Sequence, residues 1–156
     1  MFNIRVYGIL INNDHEILIS EELIKDQYIT KFCGGGLEHG EGTLACLKRE
    51  FIEEMNLKIE VLEHLYTTDF YQQSAFNPTQ QIISIYYLVK ALEPIKIKLN
   101  EKPFDFDEIK LHTYHSTQQI ESFRFIHLDE FSEETMSLPI DKIVANKVKE
   151  KFKISK

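Results

Sequence analysis

Cysteine, proline and long apolar runs are all scarce in this sequence of 156 residues. The two cysteines, Cys33 and Cys46, are too few to hold together a disulfide scaffold, so a reducing cytoplasm is expected. The longest apolar runs are far too short to cross a bilayer. The first ten residues lack the apolar core and the cleavage site of a signal peptide. A membrane partner is therefore not expected.

Positive charge is also in short supply. The chain has 18 lysines and arginines against 25 aspartates and glutamates, which gives a formal net charge of −7. No basic patch along the sequence compensates for this excess. Because such a surface repels anionic polymers and anionic membranes, the composition argues against a nucleic-acid polymer as the partner.

The length and composition are those of an ordinary globular domain. The sequence is 43% hydrophobic and 28% charged, with no internal repeat and no linker rich in proline or serine. A chain of this size buries enough surface to fold as one unit. We expect a single domain over residues 1–152 and a flexible tail at residues 153–156.

Apolar patterns predict a mixture of strands and two helices, which is typical of an α+β fold, here an α/β/α sandwich around a mixed β-sheet. Thr43 is the predicted N-cap of the first helix. Asn56 is predicted to end that helix in the left-handed conformation. The predicted elements are an opening hairpin of residues 3–12 and 16–21, strands at 59–70, 80–91, 95–99 and 123–128, and helices at 43–55 and 139–152, the second beginning at Pro139.

The helix predicted at residues 43–55 carries three carboxylates on one face. At about 100° per residue, Glu53 and Glu54 both lie within about 60° of Glu50. Like charges at this spacing are destabilising by about 0.2–0.5 kcal/mol per pair, and a hard divalent cation would reverse that effect. A solvated acidic surface is the alternative for such a helix taken alone. The opposite, apolar side is predicted to consist of Leu44, Ala45, Phe51, Ile52 and Met55.

A longer pattern surrounds this helix. It runs from Gly35 through five residues to Glu41, then through seven residues to Arg49, and ends at Leu57 as Arg-Glu-Phe-x-Glu-Glu-x-Asn-Leu. This resembles the signature of the Nudix hydrolase family, Gly-x5-Glu-x7-Arg-Glu-U-x-Glu-Glu-x-Gly-U, where U is a bulky apolar residue. Eight of the nine defining positions agree. The exception is Asn56, which stands where the family has glycine.

The resemblance implies an enzyme that hydrolyses a phosphoanhydride bond in a nucleoside diphosphate linked to another group. Nucleoside triphosphates, ADP-ribose and nucleotide sugars all meet that description. The implied cofactor is Mg²⁺, with Mn²⁺ able to substitute, and the implied ligands are Glu50, Glu53, Glu54 and the backbone carbonyl of Gly34.

The resemblance also implies roles for other residues of the signature. Arg49 is expected to orient a signature glutamate through charge-assisted hydrogen bonds. Glu41 is expected to support the loop or to reach the metal through water. Glu53 or Glu50 would activate the attacking water, although a carboxylate outside the signature can serve instead. The outside candidates, each of which is better explained as a solvated residue, are Glu101, Asp105, Asp107, Glu108 and Glu121.

Other residue types invite weaker hypotheses. His112 and His115 lack the third ligand that a zinc site needs. Cys46 is better explained as a small residue that lets the glycine loop approach the helix than as a nucleophile. Four aromatic residues suit the stacking of a base as well as they suit a core: Tyr28, Phe70, Tyr71 and Phe76.

Two further functions stay open at this point. One is a degenerate Nudix-like module that senses a nucleotide without cutting it, and the other is an acidic interaction domain. Tyr86 and Tyr87 fit a homodimer surface as well as a core. Substrate selectivity is expected from residues 66–80 and 93–120. The segment 93–119 is expected to be ordered, partly as an extra strand, and to flank the metal site; the alternative is an insertion on the far side that serves packing or dimerisation.

Overall fold

The computed structural model describes residues 1–153. They divide into two compact units, the first made of Met1–Leu10 with Cys33–Ile97 and the second of Ile11–Phe32 with the chain from Lys98 onward. The predicted mixed α+β class is confirmed, since the described chain contains two sheets and three α-helices. Of the flexible tail predicted at residues 153–156, all but Lys153 lies outside the described residues.

Strands and helices follow one another along the chain in a mixed order. They are β1 (Phe2–Leu10), β2 (Glu16–Ile24), β3 (Gln27–Lys31), β4 (Cys33–Gly36), α1 (Thr43–Met55), β5 (Ile59–Thr67), β6 (Gln81–Ala91), α2 (Glu108–Thr117), β7 (Gln119–His127) and α3 (Pro139–Lys151), with a short 3₁₀ turn at Glu133–Thr135. No helix within residues 1–153 is both long enough and apolar enough to span a bilayer.

The first unit is built on a four-stranded sheet in the order β4-β1-β6-β5. The central strands β1 and β6 run parallel, and the outer pairs are antiparallel. The register places Tyr7 between Gly34 and Tyr86. The rings of Tyr7 and Tyr86 stack at 5.2 Å between centroids, and Tyr86 is only 1% exposed. Tyr86 therefore belongs to the core of this unit rather than to an exposed surface.

The second unit contains a three-stranded antiparallel sheet in the order β3-β2-β7. Pro139 is the first residue of α3, as predicted, because a missing N–H costs nothing at that position. One face of α3 buries Ile140, Val144 and Val148. These apolar residues provide the hydrophobic burial that stabilises a short helix.

The predicted opening hairpin is wrong, although both of its strands exist. β1 pairs with β4 and β6, whereas β2 pairs with β3 and β7, and only an isolated bridge joins Ile11 to Ile17. The turn itself forms, with the side chain of Asn12 accepting hydrogen bonds from the backbone N–H groups of Asp14 and Glu16. The local turn signal was correct, but partners distant in sequence took both strands.

The sequence pattern did not predict β3, β4 or α2. β4 is the glycine run itself, which has little strand propensity and is held by pairing with β1. Conversely, residues 95–99 alternate like a strand but form none, and the segment after them contains only the isolated bridge from Asn100 to Arg124 before α2 begins. The regular structure within segment 93–119 is thus the helix α2, and the expected extra strand is absent from it.

Helix α1 packs through a face that differs in part from the predicted one. Its buried residues are Cys46, Leu47, Phe51 and Met55. Leu44 and Ile52, predicted to pack, are 47% and 42% exposed. Gly8 on β1 makes room for the ring of Phe51, since a Cβ on Gly8 would lie 2.9 Å from that ring. The packed face is therefore rotated toward Cys46, which brings it closer to the acidic residues of the helix.

The two ends of α1 are capped differently. Gly42, not Thr43, is the N-cap residue, and the Thr43 hydroxyl instead lies 2.7 Å from the Tyr87 hydroxyl. At the other end Asn56 has φ 49° and ψ 41°, and its N–H donates to the Ile52 carbonyl at 2.9 Å. The predicted left-handed helix stop is confirmed, and asparagine tolerates it better than other non-glycine residues do.

Replacing Asn56 with glycine is expected to leave stability unchanged or slightly raised, whereas Asn56→Val should lower it by about 1 kcal/mol or more. A β-branched side chain resists the left-handed conformation that this helix stop requires. Urea unfolding of the two variants beside the wild type measures the difference. Equal unfolding midpoints for the glycine and valine variants would contradict the reason given for this helix stop.

Candidate active site

The glycine strand β4 brings the chain close to both β1 and α1. Gly34 has φ +152°, and a Cβ there would lie 2.0 Å from the Val6 carbonyl oxygen, so only glycine fits. A Cβ on Gly35 would lie 2.4 Å from Cδ of Glu50. The carboxylate of Glu50 therefore rests directly against the backbone of Gly35, in space that any larger residue would occupy.

Arg49 binds carboxylates of α1 and of the loop that precedes it. Its Nε and Nη2 donate to the two carboxylate oxygens of Glu41 at 3.0 and 2.6 Å. Its Nη1 donates to Glu50 at 3.0 Å and to Glu53 at 3.1 Å. Nη2 also donates to the Gly36 carbonyl oxygen at 3.1 Å. One guanidinium thus links the glycine strand, the following loop and two turns of the helix.

Glu41 is the residue that Arg49 holds most closely. The hydrogen bonding from Arg49 is the main cause that lowers the pKa of Glu41 to about 2. The N–H of Glu38, which donates to a Glu41 oxygen at 2.9 Å, adds to the effect. The hydrogen bonding to Glu41 is also the largest cause that raises the pKa of Arg49. Both groups are therefore charged throughout the neutral range, which makes their pairing a fixed support for the loop.

Cys46 closes the contact between loop and helix. Its thiol donates to the Gly36 carbonyl oxygen at 3.5 Å, beside the guanidinium of Arg49 at 3.7 Å. Burial raises the pKa of Cys46 to about 12, and a hydrogen bond to Glu41 adds to the rise. A thiol that stays protonated is a poor nucleophile. This supports the interpretation of Cys46 as a small packing residue between the glycine strand and the helix.

The three signature carboxylates on α1 differ in exposure. Glu53 has a side chain that is 56% exposed, Glu50 has one that is 13% exposed, and Glu54 is half-buried. Within residues 1–153, no three His, Cys, Asp or Glu side chains already stand together as a metal-binding group. The donor chemistry nevertheless fits a hard divalent cation, because carboxylate and backbone carbonyl oxygens are the ligands that Mg²⁺ prefers.

The carboxylates proposed outside the signature differ in their surroundings. Asp107 accepts a hydrogen bond from the N–H of Lys110 at 2.8 Å and so caps α2. Glu121 is different, because it lies in a largely buried polar cluster on β7. The remaining candidates are all exposed, as are both histidines of α2: Glu101, Asp105, Glu108, His112 and His115.

The aromatic residues proposed to stack a base are also exposed. Tyr28 is 61% exposed and lies edge-on to Phe104 at 5.1 Å. Phe70, Tyr71 and Phe76 are 40%, 68% and 40% exposed. None of them therefore serves as a core residue.

Sequence reasoning overlooked the partners of Glu121, which are Ser20 and Glu22 on β2 and Lys31 on β3. The available signal was a pair of glutamates, Glu21 and Glu22, inside an otherwise apolar strand. A charged pair at such a position is rarely buried unless it has partners or a function. The pattern alone did not show which residues those partners would be.

The glycine strand β4, followed by the acidic helix α1 in a mixed α+β fold, is the arrangement expected from the signature of the Nudix hydrolases. The NUDIX domain family model matches residues 1–146. The chain therefore belongs to this family, as its signature predicts, and is a hydrolase. No curated protein sequence matches the chain.

Several solved structures share the fold of this chain. A NUDIX hydrolase from Nitrosomonas europaea has a TM-score of 0.67 at 15% identity, covering 97% of this chain and 90% of that one. The MutT protein from Methanosarcina mazei Go1 has a TM-score of 0.66 at 14% identity, covering 98% and 96%. An ADP-ribose pyrophosphatase from Streptococcus suis has a TM-score of 0.56 at 15% identity, covering 94% and 86%.

Proposed function

We propose that the protein uses Mg²⁺ to hydrolyse a phosphoanhydride bond in a nucleoside diphosphate linked to another group. The observation that carries this proposal is the arrangement of Glu50 and Glu53 around Arg49, with Glu50 resting on Gly35. A single arginine against several carboxylates leaves an excess of negative charge. That excess suits a bound divalent cation and is unfavourable without one.

The residues that would hold the metal are Glu50, Glu53, Glu54 and the backbone carbonyl of Gly34. Mn²⁺ is expected to substitute for Mg²⁺, because the same oxygen ligands suit both ions. When bound, the cation neutralises charge on the phosphate oxygens, which is the main requirement of phosphoryl transfer. Removing divalent ions with a chelator should therefore abolish turnover.

The protein side chains would divide the remaining work. Glu53, the more exposed of the two α1 carboxylates that contact Arg49, would take a proton from the attacking water. The water oxygen then bonds to phosphorus while the bond to the bridging oxygen breaks, and the leaving phosphate takes the electron pair. Glu50 keeps its position through Gly35 and Arg49, and Glu41 holds Arg49 in place.

The substrate is proposed to be a small nucleotide rather than a nucleic-acid polymer. The net charge of −7 disfavours long anionic partners. Proteins with the same fold include an ADP-ribose pyrophosphatase and a UDP-X diphosphatase, whose names give two different kinds of nucleotide substrate. Nucleoside triphosphates, ADP-ribose and nucleotide sugars are therefore the candidates to compare.

A panel of these compounds, incubated with the protein and Mg²⁺, tests the proposal. Product phosphates are identified by ³¹P NMR, with Mn²⁺ and chelator samples in parallel. We expect one class of compound to be hydrolysed only when metal is present. The products would be two phosphate-bearing compounds, for example a nucleoside monophosphate and pyrophosphate. Tight binding of a nucleotide with no turnover would instead support a sensing module. The absence of both binding and turnover would contradict any nucleotide function.

A further inference from the structure

The start of helix α1 is tied to the sheet of the first unit by a hydrogen bond between two hydroxyl groups. The hydroxyl oxygens of Thr43 and Tyr87 lie 2.7 Å apart, and both residues are half-buried. Thr43 is the first residue of α1, whereas Tyr87 lies in the central strand β6. Gly42, the N-cap residue, has no side chain that could hold this end of the helix. The Tyr87 hydroxyl therefore provides a polar anchor where α1 begins.

The ring of Tyr87 is itself held by its neighbours in the sheet. The register pairs Tyr87 with Gly8 on β1 and with His64 on β5. The His64 ring lies edge-on to the Tyr87 ring at 5.6 Å between centroids, and its Nε2 lies 2.7 Å from the Thr67 hydroxyl oxygen. Because hydrogen bonds weaken steeply when they are misaligned, a hydroxyl on a ring held in this way specifies where Thr43 must lie.

A second contact on the same row of the sheet anchors the other half of α1. The ring of Phe51 is fully buried and packs over Gly8, where a Cβ would lie 2.9 Å from it. Phe51 follows Thr43 by 8 residues, which corresponds to about 12 Å along a helix. Apolar burial is non-directional, so it specifies the rotation of a helix less sharply than a hydrogen bond does. The Thr43 contact thus adds a directional restraint to the apolar one.

The rotation of α1 determines how its carboxylates meet the glycine strand. Arg49 donates to the Gly36 carbonyl oxygen of β4 at 3.1 Å and to Glu50 of α1 at 3.0 Å. It also donates to Glu41, which precedes the helix, at 2.6 Å. One guanidinium can keep partners on a strand, a loop and a helix only while these three elements keep their relative positions. The anchor at Thr43 restrains the end of the helix that lies nearest to Glu41.

We propose that Tyr87 is a positioning residue, whose hydroxyl holds Thr43 and thereby aligns Arg49 with the carboxylates that would bind the divalent cation. This inference rests on the proposed function, since those carboxylates are the proposed metal ligands. Tyr87 acts only through the helix and has no contact with the cation in this proposal. The metal centre thus depends on β6 as well as on α1 and β4.

Substitutions that remove a single hydroxyl group test the proposal. Tyr87→Phe removes only the oxygen, and Thr43→Val replaces the hydroxyl with a methyl group of similar size. Binding of Mn²⁺ to the full chain is followed by electron paramagnetic resonance. We expect each variant to bind Mn²⁺ about three- to tenfold more weakly than the wild type, less than the roughly 10–100-fold loss typical of a residue that touches a metal ligand.

Two further variants separate this hydrogen bond from a general loss of packing. The double variant of Tyr87→Phe with Thr43→Val should bind Mn²⁺ no more weakly than the weaker single variant, because both changes remove the same bond. Thr43→Ser keeps a hydroxyl and should restore the affinity to within about twofold of the wild type.

The matched control is Tyr66→Phe on β5. The Tyr66 hydroxyl donates to Asp69 at 2.8 Å, so this change also removes a hydrogen-bonded tyrosine hydroxyl from the same sheet. Its bond does not involve α1. The affinity for Mn²⁺ should therefore equal that of the wild type.

The positioning role also has a readout that needs no metal. Nε of Arg49 donates to Glu41 at 3.0 Å, and the rate at which its proton exchanges with solvent, measured by NMR, reports whether this bond is kept. We expect faster exchange in Tyr87→Phe and Thr43→Val than in the wild type or Tyr66→Phe. A purely structural role would lower the urea midpoint of unfolding and change neither this exchange nor the affinity for Mn²⁺.

Mn²⁺ affinity and Arg49 exchange that are the same in every variant would overturn the positioning role and leave the proposed metal standing. An equal loss of affinity in Tyr66→Phe, or a Thr43→Ser variant as weak as Thr43→Val, would also overturn it. If the wild type bound no Mn²⁺ while Arg49 exchange still depended on the two hydroxyl groups, the proposed metal would be refuted and the positioning role would stand.

Discussion

Replacing Glu54 with glutamine is expected to lower Mg²⁺-dependent turnover by at least about 100-fold while the fold persists. Loss of a residue that merely supports a metal ligand already costs about 10–100-fold, so loss of a ligand itself should cost more. The substitution keeps the size of the side chain and relieves repulsion between carboxylates on α1, so stability should not fall. Steady-state turnover and thermal unfolding of the same preparation measure both effects.

The control for this substitution is Glu60→Gln on β5. Glu60 is exposed and lies 3.8 Å from Lys90 in an ion pair whose two side chains are both more than half exposed. Such pairs contribute little, so turnover and stability should both stay near those of the wild type. If Glu54→Gln retained the turnover of Glu60→Gln, Glu54 would not be a metal ligand.

Changing Gly35 to alanine is expected to remove most of the activity with little loss of stability. The added Cβ would lie 2.4 Å from Cδ of Glu50, so the carboxylate must leave its place beside the glycine strand. That carboxylate is the far end of a flexible side chain, which can move without disturbing the core. Turnover should fall by about 100-fold or more, because small displacements of a positioned group cost about that much.

The two neighbouring glycines provide a matched series. Gly34→Ala should destabilise the fold strongly, because φ is +152° and the Cβ would lie 2.0 Å from the Val6 carbonyl oxygen. Gly36→Ala should be tolerated, because the nearest atom to its Cβ is on Arg5, 3.7 Å away. Urea unfolding and turnover of the three variants give the pattern. Similar activity in Gly35→Ala and Gly36→Ala would show that the position of Glu50 does not matter.

The features that the sequence predicted well are local ones. Glu50, Glu53 and Arg49 share a helix, so their spacing alone brings them together, and their contacts in the structure follow from it. Asn56 ends that helix for a reason that belongs to one residue and its backbone angles. Spacing along a helix determines which side chains are neighbours without any knowledge of the rest of the fold.

The features that the sequence did not reveal depend on strand pairing. β1 and β2 follow each other along the chain yet belong to different sheets, because partners distant in sequence stabilise each of them. For the same reason the cross-strand contact of Glu22 with Glu121 could not be predicted from either segment alone. Leu44 and Ile52 were placed on the packed face of α1, but the actual packing surface is set by Gly8 and its neighbours.

Binding of Mn²⁺, followed by electron paramagnetic resonance, tests most directly whether α1 holds the metal. Mn²⁺ is the probe because the expected oxygen ligands suit it and its signal reports the bound fraction. The wild type and Glu60→Gln are predicted to bind Mn²⁺ with equal affinity, while Glu53→Gln and Glu54→Gln bind it at least about tenfold more weakly. Equal Mn²⁺ affinity in all four proteins would contradict the assignment of the metal centre to this helix.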